Sequence, residues 1–192
     1  MRKAGGGAVP PMKTGADMRF RRMAVVAGIV AGLCAAVGPV WACDSPPTSR
    51  YVIQNPLIGE VYDKKTRLTW ERCSLGQRWE NGVGCVGFVT VMPFDRAQME
   101  RYGGWRMPTR DELLSLVSPN CKSPAINDEV FPDVDMHKLV YWTSDEDNGC
   151  GADQNGKPVC AWYVNFFDGS SNYYYGNYRT YTHALRLVRD GQ

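Results

Sequence analysis

A chain of 192 residues with hydrophobic side chains at 44% of its positions is sized for one domain plus a short appendage and can bury a core of its own. Residues 1–42 hold six Lys or Arg against one Asp, so without them the formal charge falls from +2 to −3. That balance excludes a bulk basic surface for nucleic acid or an anionic membrane, and leaves only local patches such as Lys64, Lys65 and Arg67 to attract a polyanion.

Residues 1–42 read as a secretory signal peptide. Arg19, Arg21 and Arg22 precede the apolar run Met23 to Val37, and Val40-Trp41-Ala42 forms a cleavage pattern before Cys43. The apolar part is too short to span a bilayer well. Residues before Met18 add nothing to the signal, so Met12 or Met18 is the expected start. The competing reading is a lipobox with lipid on Cys43, for which Trp41 is a poor residue. Export agrees with cysteine usage. Cys34 leaves with the signal, and Cys43, Cys73, Cys85, Cys121, Cys150 and Cys160 remain, an even set that reads as three disulfides. Loop spacing favours Cys73 with Cys85 and Cys150 with Cys160, leaving Cys43 with Cys121 by elimination.

Residues 43–54 read as a polar lead-in to a domain over 55–192. Glu60 to Asp63 and Leu68 to Glu71 flank the polar turn Lys64-Lys65-Thr66-Arg67, which predicts a β-hairpin with Val61, Leu68 and Trp70 facing the core. The glycine-rich run Ser74 to Gly84 predicts a disulfide-clamped loop, not a helix. Phe88 to Met92 predicts a short strand, and Phe94 to Tyr102 a first helix closed by Gly103-Gly104. Thr109 with Glu112 three positions on is a capping box, so a second helix is expected from about Arg110 to Ser118, stopped by Pro119. It would bury Leu113, Leu114, Leu116 and Val117 and turn Arg110, Asp111 and Ser115 to solvent. Arg106 is placed to salt-bridge Asp111 or Glu112.

Residues 120–135 have no sustained period, and Pro124, Ile126, Val130, Phe131, Pro132 and Val134 look like an irregular plug for the core. Strands are expected at Leu139 to Ser144, at Ala161 to Phe167 with Trp162, Val164 and Phe166 on one face, and at Leu185 to Arg189. Asp168-Gly169 turns the chain between the second of these and a tyrosine-rich segment. The expected class is α+β.

The ordered motifs Val61-Tyr62-Asp63, Leu68-Thr69-Trp70, Arg72-Cys73-Ser74-Leu75-Gly76-Gln77, Gly103-Gly104-Trp105-Arg106-Met107-Pro108-Thr109, Phe131-Pro132, Tyr141-Trp142-Thr143-Ser144, Ala161-Trp162-Tyr163-Val164-Asn165-Phe166 and Leu185-Arg186-Leu187-Val188-Arg189 resemble the Lcl C-terminal domain family. That family is called after the C-terminal domain of a bacterial collagen-like adhesin. The resemblance spans about residues 55–189 and implies a C-type-lectin-like fold, related to that of formylglycine-generating enzymes, with sulfated-glycan binding at the cell surface in the adhesin. No Gly-x-y repeat precedes the domain, so a trimerising stalk is not supported.

Two stretches are candidate sites. Asp145, Asp147 and Asp153 gather oxygen ligands that would suit calcium, although the EF-hand spacing fails; the plain reading is a solvated acidic loop. Tyr173, Tyr174, Tyr175, Tyr178 and Tyr181, with Asn172 and Asn177 between them, form a candidate aromatic platform for a sugar or peptide, with alternate members facing the core. Trp70, Trp105, Trp142 and Trp162 read as core. His137 and His183 are isolated, no His-x-x-x-His, Gly-x-Ser-x-Gly or Cys-x-x-Cys occurs, and no catalytic residue is assigned. The expectation is a non-enzymatic exported module, periplasmic or extracellular, that binds glycan or a surface protein; the alternative is an envelope accessory protein packed on a partner chain.

Overall fold

A computed structural model describes residues 46–132, 140–146, 148–174 and 181–191. Cys43, His137, Asp147, Tyr175, Asn177 and Tyr178 lie outside them, and of Asn148 and Tyr174 only the backbone is described.

The predicted hairpin is the centre of the first sheet. Strand β2 (Glu60–Asp63) pairs antiparallel with β3 (Leu68–Glu71), setting Val61 against Trp70 and Asp63 against Leu68. Val61 and Trp70 are fully buried, as the period-two pattern requires. Strand β1 (Tyr51–Asn55) adds to the free side of β2 and β9 (Val188–Asp190) to β3, giving the order β1-β2-β3-β9. Residues read as a lead-in therefore include an edge strand. It was hidden because only Tyr51 is buried in it, so it shows no alternation. Tyr51 packs edge-on against Phe131, ring centroids 5.6 Å apart. The closing strand begins later than expected, yet Leu185 and Leu187 still accept backbone hydrogen bonds from Leu75 and Glu71.

Inside the span between Cys73 and Cys85 the expected loop is a small hairpin, β4 (Gln77–Glu80) with β5 (Gly84–Gly87), and the two cysteines are bonded. Cys150 and Cys160 are bonded as well. Cys121 is also in a disulfide; its expected partner, Cys43, lies outside the described residues. Phe88 to Met92 is not a strand: Phe88 is 87% exposed, and only Met92 makes an isolated bridge, to His183.

Helix α1 is short (Phe94–Ala97), and the glycines do not cap it. Tyr102 and Trp105 exchange both backbone hydrogen bonds around Gly103 at φ +53° and Gly104 at φ +85°. Two consecutive positive φ values make this a tight primed-type turn, the hairpin geometry that favours Gly-Gly. Helix α2 (Arg110–Leu114) has the predicted capping box in full: Thr109 Oγ1 accepts from the Glu112 N–H at 3.2 Å, and Glu112 Oε2 accepts from the Thr109 N–H at 2.7 Å. It ends before Pro119 is reached, but Leu113 and Leu116 are fully buried and Leu114 and Val117 partly so. Arg106 makes the expected ion pair with Glu112, through Nη1 at 2.8 Å and Nη2 at 2.7 Å. Thr109→Ala removes one half of the box, and urea denaturation is expected to show a loss of about 1 kcal/mol.

A second sheet, β6 (Val140–Glu146), β7 (Ala161–Asn165) and β8 (Ser170–Tyr174), packs under α2. One buried cluster joins Trp70, Leu113, Phe131, Tyr141 and Val164; another joins Phe94, Trp105, Trp142, Leu185 and Leu187. Ile126, Val130 and Phe131 plug the core as the irregular segment predicted. Antiparallel sheets with two short helices make the protein α+β.

Candidate functional site

The turn after Phe166, with Gly169 at φ +78°, folds β8 back on β7. Its register sets Trp162 opposite Tyr173, Tyr163 opposite Asn172 and Val164 opposite Ser171. Directly opposite residues share a face, so Trp162, Val164, Ser171 and Tyr173 point one way and Tyr163 and Asn172 the other. Val164 is fully buried below α2, which leaves Trp162 and Tyr173 at the margin of the packed region. Their rings meet edge-to-face at 4.8 Å, and Tyr173 is 39% exposed.

Arg110, the first residue of α2, completes the cluster. Its guanidinium lies 3.9 Å over the Trp162 ring, a cation–π contact, and its Nε donates to Ser171 Oγ at 3.0 Å. Ser171 Oγ in turn donates to the Tyr163 carbonyl at 3.0 Å. Among the described residues neither terminal nitrogen of Arg110 has a hydrogen-bond or ion-pair partner. The backbone N–H of Arg110 donates to Asp145 Oδ2 at 2.6 Å, which places a carboxylate at the start of α2 where the helix dipole favours it. The face thus presents an aromatic pair, a guanidinium with free donors and a fixed hydroxyl within one rigid hairpin-and-helix corner.

The sequence-predicted residues scatter around this face. Tyr173 belongs to it. Asn172 points to the opposite side and holds the Tyr173 N–H at 2.8 Å. Tyr174 ends β8 opposite Ala161. Tyr181 is 45% exposed on the run leading to the His183–Met92 bridge, and Tyr175, Asn177 and Tyr178 lie outside the described residues. Trp162 is only half-buried, correcting its assignment to the core, and Arg110 is not simply turned to solvent. Counting outward from the turn at Asp168-Gly169 pairs Trp162 with Tyr173, so the aromatic pair was available to sequence reasoning; the approach of Arg110 was not.

The acidic candidates have local duties. Asp145 lies in β6, not in a loop, and serves α2. Asp153 Oδ1 accepts the N–H groups of Asn155 at 2.8 Å and Lys157 at 3.0 Å, which closes a polar turn. Asp147 lies outside the described residues. Among the described residues no three His, Cys, Asp or Glu side chains come together as a metal site would need. His183, the one described histidine, is packed between Trp142 and Tyr163 at 4.3 and 5.4 Å, and burial pushes its pKa down to about 4.

These features define a disulfide-stapled α+β domain with an aromatic and cationic surface corner. The family model of the Lcl C-terminal domain matches residues 59–189, and the chain belongs to that family. No curated protein and no solved structure matches it.

Proposed function

We propose that this protein is an exported, non-enzymatic recognition module that binds glycan at the bacterial envelope or surface through the Arg110–Trp162–Tyr173 corner. The observation that carries the reading is the pairing of a half-buried Trp, edge-on to an exposed Tyr, with a guanidinium whose terminal nitrogens have no partner among the described residues. Aromatic rings stack on the C–H faces of sugars, and a fixed guanidinium fork matches a carboxylate or sulfate bidentately. Membership of a family whose namesake is an adhesin domain supports it, as does the C-type-lectin-like fold that the resemblance implies. Disulfides form in oxidising compartments, which supports export to the periplasm or beyond; no helix among the described residues is long and apolar enough to cross a membrane.

A glycan array of the mature protein tests the reading, with sulfated, carboxylated and neutral sugars side by side. Trp162→Ala is expected to weaken the best ligand by a few-fold up to about tenfold, since an aromatic contact is worth about 0.5–1.5 kcal/mol. Arg110→Gln is expected to weaken anionic ligands selectively and to flatten the salt dependence. Binding unchanged in both variants rejects the corner as the site.

A second reading, an envelope accessory protein packed on a partner chain, is favoured by the exposed apolar side chains Val52 and Ile53 on the edge strand β1 and Leu57 and Ile58 in the turn after it. Co-purification of a stoichiometric protein from the native envelope separates the two.

A further inference from the structure

Away from the aromatic corner, a pocket of about 250 Å³ opens between the end of β3, the β1–β2 turn and the Gly103-Gly104 turn. Its walls are aliphatic at Ile58 and Leu75 and aromatic at Trp79 and Tyr102, and Glu71 supplies a carboxylate. Trp79 is held in place by donating Nε1 to the Pro56 carbonyl at 2.7 Å and by the Arg72 guanidinium 3.9 Å over its ring.

The charge arrangement around Glu71 is lopsided. Glu60 sits directly opposite Glu71 in the β2–β3 register, and like charges in that position repel. Strand β9 ion-pairs directly with only one of them, since Arg189 Nη2 pairs with Glu60 at 2.5 Å; Arg189 and Arg186 reach Glu71 only through longer-range attraction. Arg78 on the pocket wall pairs with Glu80 at 3.1 Å, and Arg106 pairs with Glu112 and Asp190. Among the described residues Glu71 has no ion-pair partner; its Oε1 accepts only the neutral phenol of Tyr102. Burial pushes the Glu71 carboxyl above the ordinary range, partly offset by the Tyr102 hydrogen bond and by the more distant Arg186 and Arg189 guanidiniums.

We propose that this pocket binds a protonated primary amine on an aliphatic stem, namely a lysine side chain presented by a partner protein, with the ammonium on Glu71 and the stem between Ile58, Leu75 and the two aromatic rings. A lysine ammonium is charged at neutral pH. It is attracted to a carboxylate, and four methylenes suit a pocket with aliphatic and aromatic walls; the Trp79 ring, already stacked by Arg72, contributes apolar surface. The site is independent of the Arg110–Trp162–Tyr173 corner.

The test titrates the protein with N-acetyl-lysine methylamide and n-butylamine, read by NMR chemical-shift changes. The ε-acetylated lysine derivative and glucosamine serve as comparators. Expected is binding of both amines with Kd on the order of millimolar, as suits ligands of few heavy atoms, with shifts at Trp79 and Tyr102 and none from the ε-acetylated compound. Glu71→Gln, an isosteric change, is expected to lower affinity at least about tenfold, Tyr102→Phe several-fold, and Trp162→Ala not at all. The proposal is overturned if neither amine binds, if the ε-acetylated derivative binds as well as the free amine, if Glu71→Gln and Tyr102→Phe both bind as the wild type does, or if glucosamine binds more tightly than n-butylamine.

Discussion

Asp63→Asn is expected to lower the unfolding free energy by about 3–5 kcal/mol, the range for breaking one partner out of a buried ion pair. Asp63 is fully buried at the end of β2, and the Arg50 side chain that meets it is 9% exposed. Arg50 grips both carboxylate oxygens, with Nε 2.7 Å from Oδ1 and Nη2 on Oδ2. Its Nη1 reaches the Ser115 carbonyl just past α2 at 2.9 Å. The same carboxylate accepts from the Lys65 N–H at 2.9 Å and the Thr66 hydroxyl at 2.7 Å. One buried ion pair therefore ties together the residue before β1, the hairpin turn and the end of α2. An amide in its place leaves the guanidinium without a counter-charge and turns an acceptor into a donor facing donors.

The pH dependence gives that result a second readout. Burial disfavours the Asp63 anion, but the Arg50, Thr66 and Lys65 hydrogen bonds outweigh it and hold the carboxyl below its ordinary value. A group whose folded pKa is depressed binds protons more readily when unfolded. Its contribution is complete above the unfolded value of about 3.9 and is lost as pH falls towards the folded one. Urea denaturation at pH 7 and pH 3 is expected to show a smaller acid loss in Asp63→Asn than in the wild type. A residual loss is expected to survive because Glu112, despite its own burial, is likewise held down by Arg106. Equal acid losses in the two proteins would contradict this account.

Arg186→Ala is expected to cost about 4 kcal/mol, or roughly 10 °C in Tm for a domain of this size. Arg186 is fully buried, and its Nη1 donates to the carbonyls of Glu71 at 2.8 Å and Arg72 at 2.6 Å, where β3 leaves the sheet. Its guanidinium also lies 4.8 Å from the Phe131 ring centroid and 5.5 Å from that of Tyr141. Truncation would leave two carbonyls short of donors and a void between the β3 exit and the irregular plug. Arg186→Lys is expected to recover little, because an ammonium lacks the planar fork that bonds and stacks at once. Thermal unfolding of both variants checks the ranking.

Strong local signals were legible in the chain. Alternation around Lys64–Arg67 has one solution, because a one-residue slip would turn Val61 and Trp70 to solvent. The Thr109–Glu112 spacing names its own hydrogen bonds, and each local cysteine pair encloses a polar loop. Signals shared by two structures were not decided locally. Gly103-Gly104 serves a helix end or a primed turn equally well in φ; the choice fell to the turn because Trp105 is drawn into the second core cluster and Arg106 pairs with Val188. Strand β1 lacks the apolar–polar alternation that would announce it, and its hydrogen bonds to β2 make it a strand.

The amino-acid sequence by itself determined the family and the α+β class, through the order of its motifs, and the central hairpin, the capped helix and the two local disulfides, since each of these rests on residues close in the chain. The tertiary structure alone decided which charges are buried and what they meet. Arg50 with Asp63, Arg186 with the β3 carbonyls, Arg110 over Trp162 and Glu71 beside Tyr102 join segments 13 to 115 residues apart. Desolvation and hydrogen-bond geometry are set only when those segments pack, so no local pattern foretells which arginine of a surface-looking motif becomes the core's fastener and which stacks on a half-buried Trp.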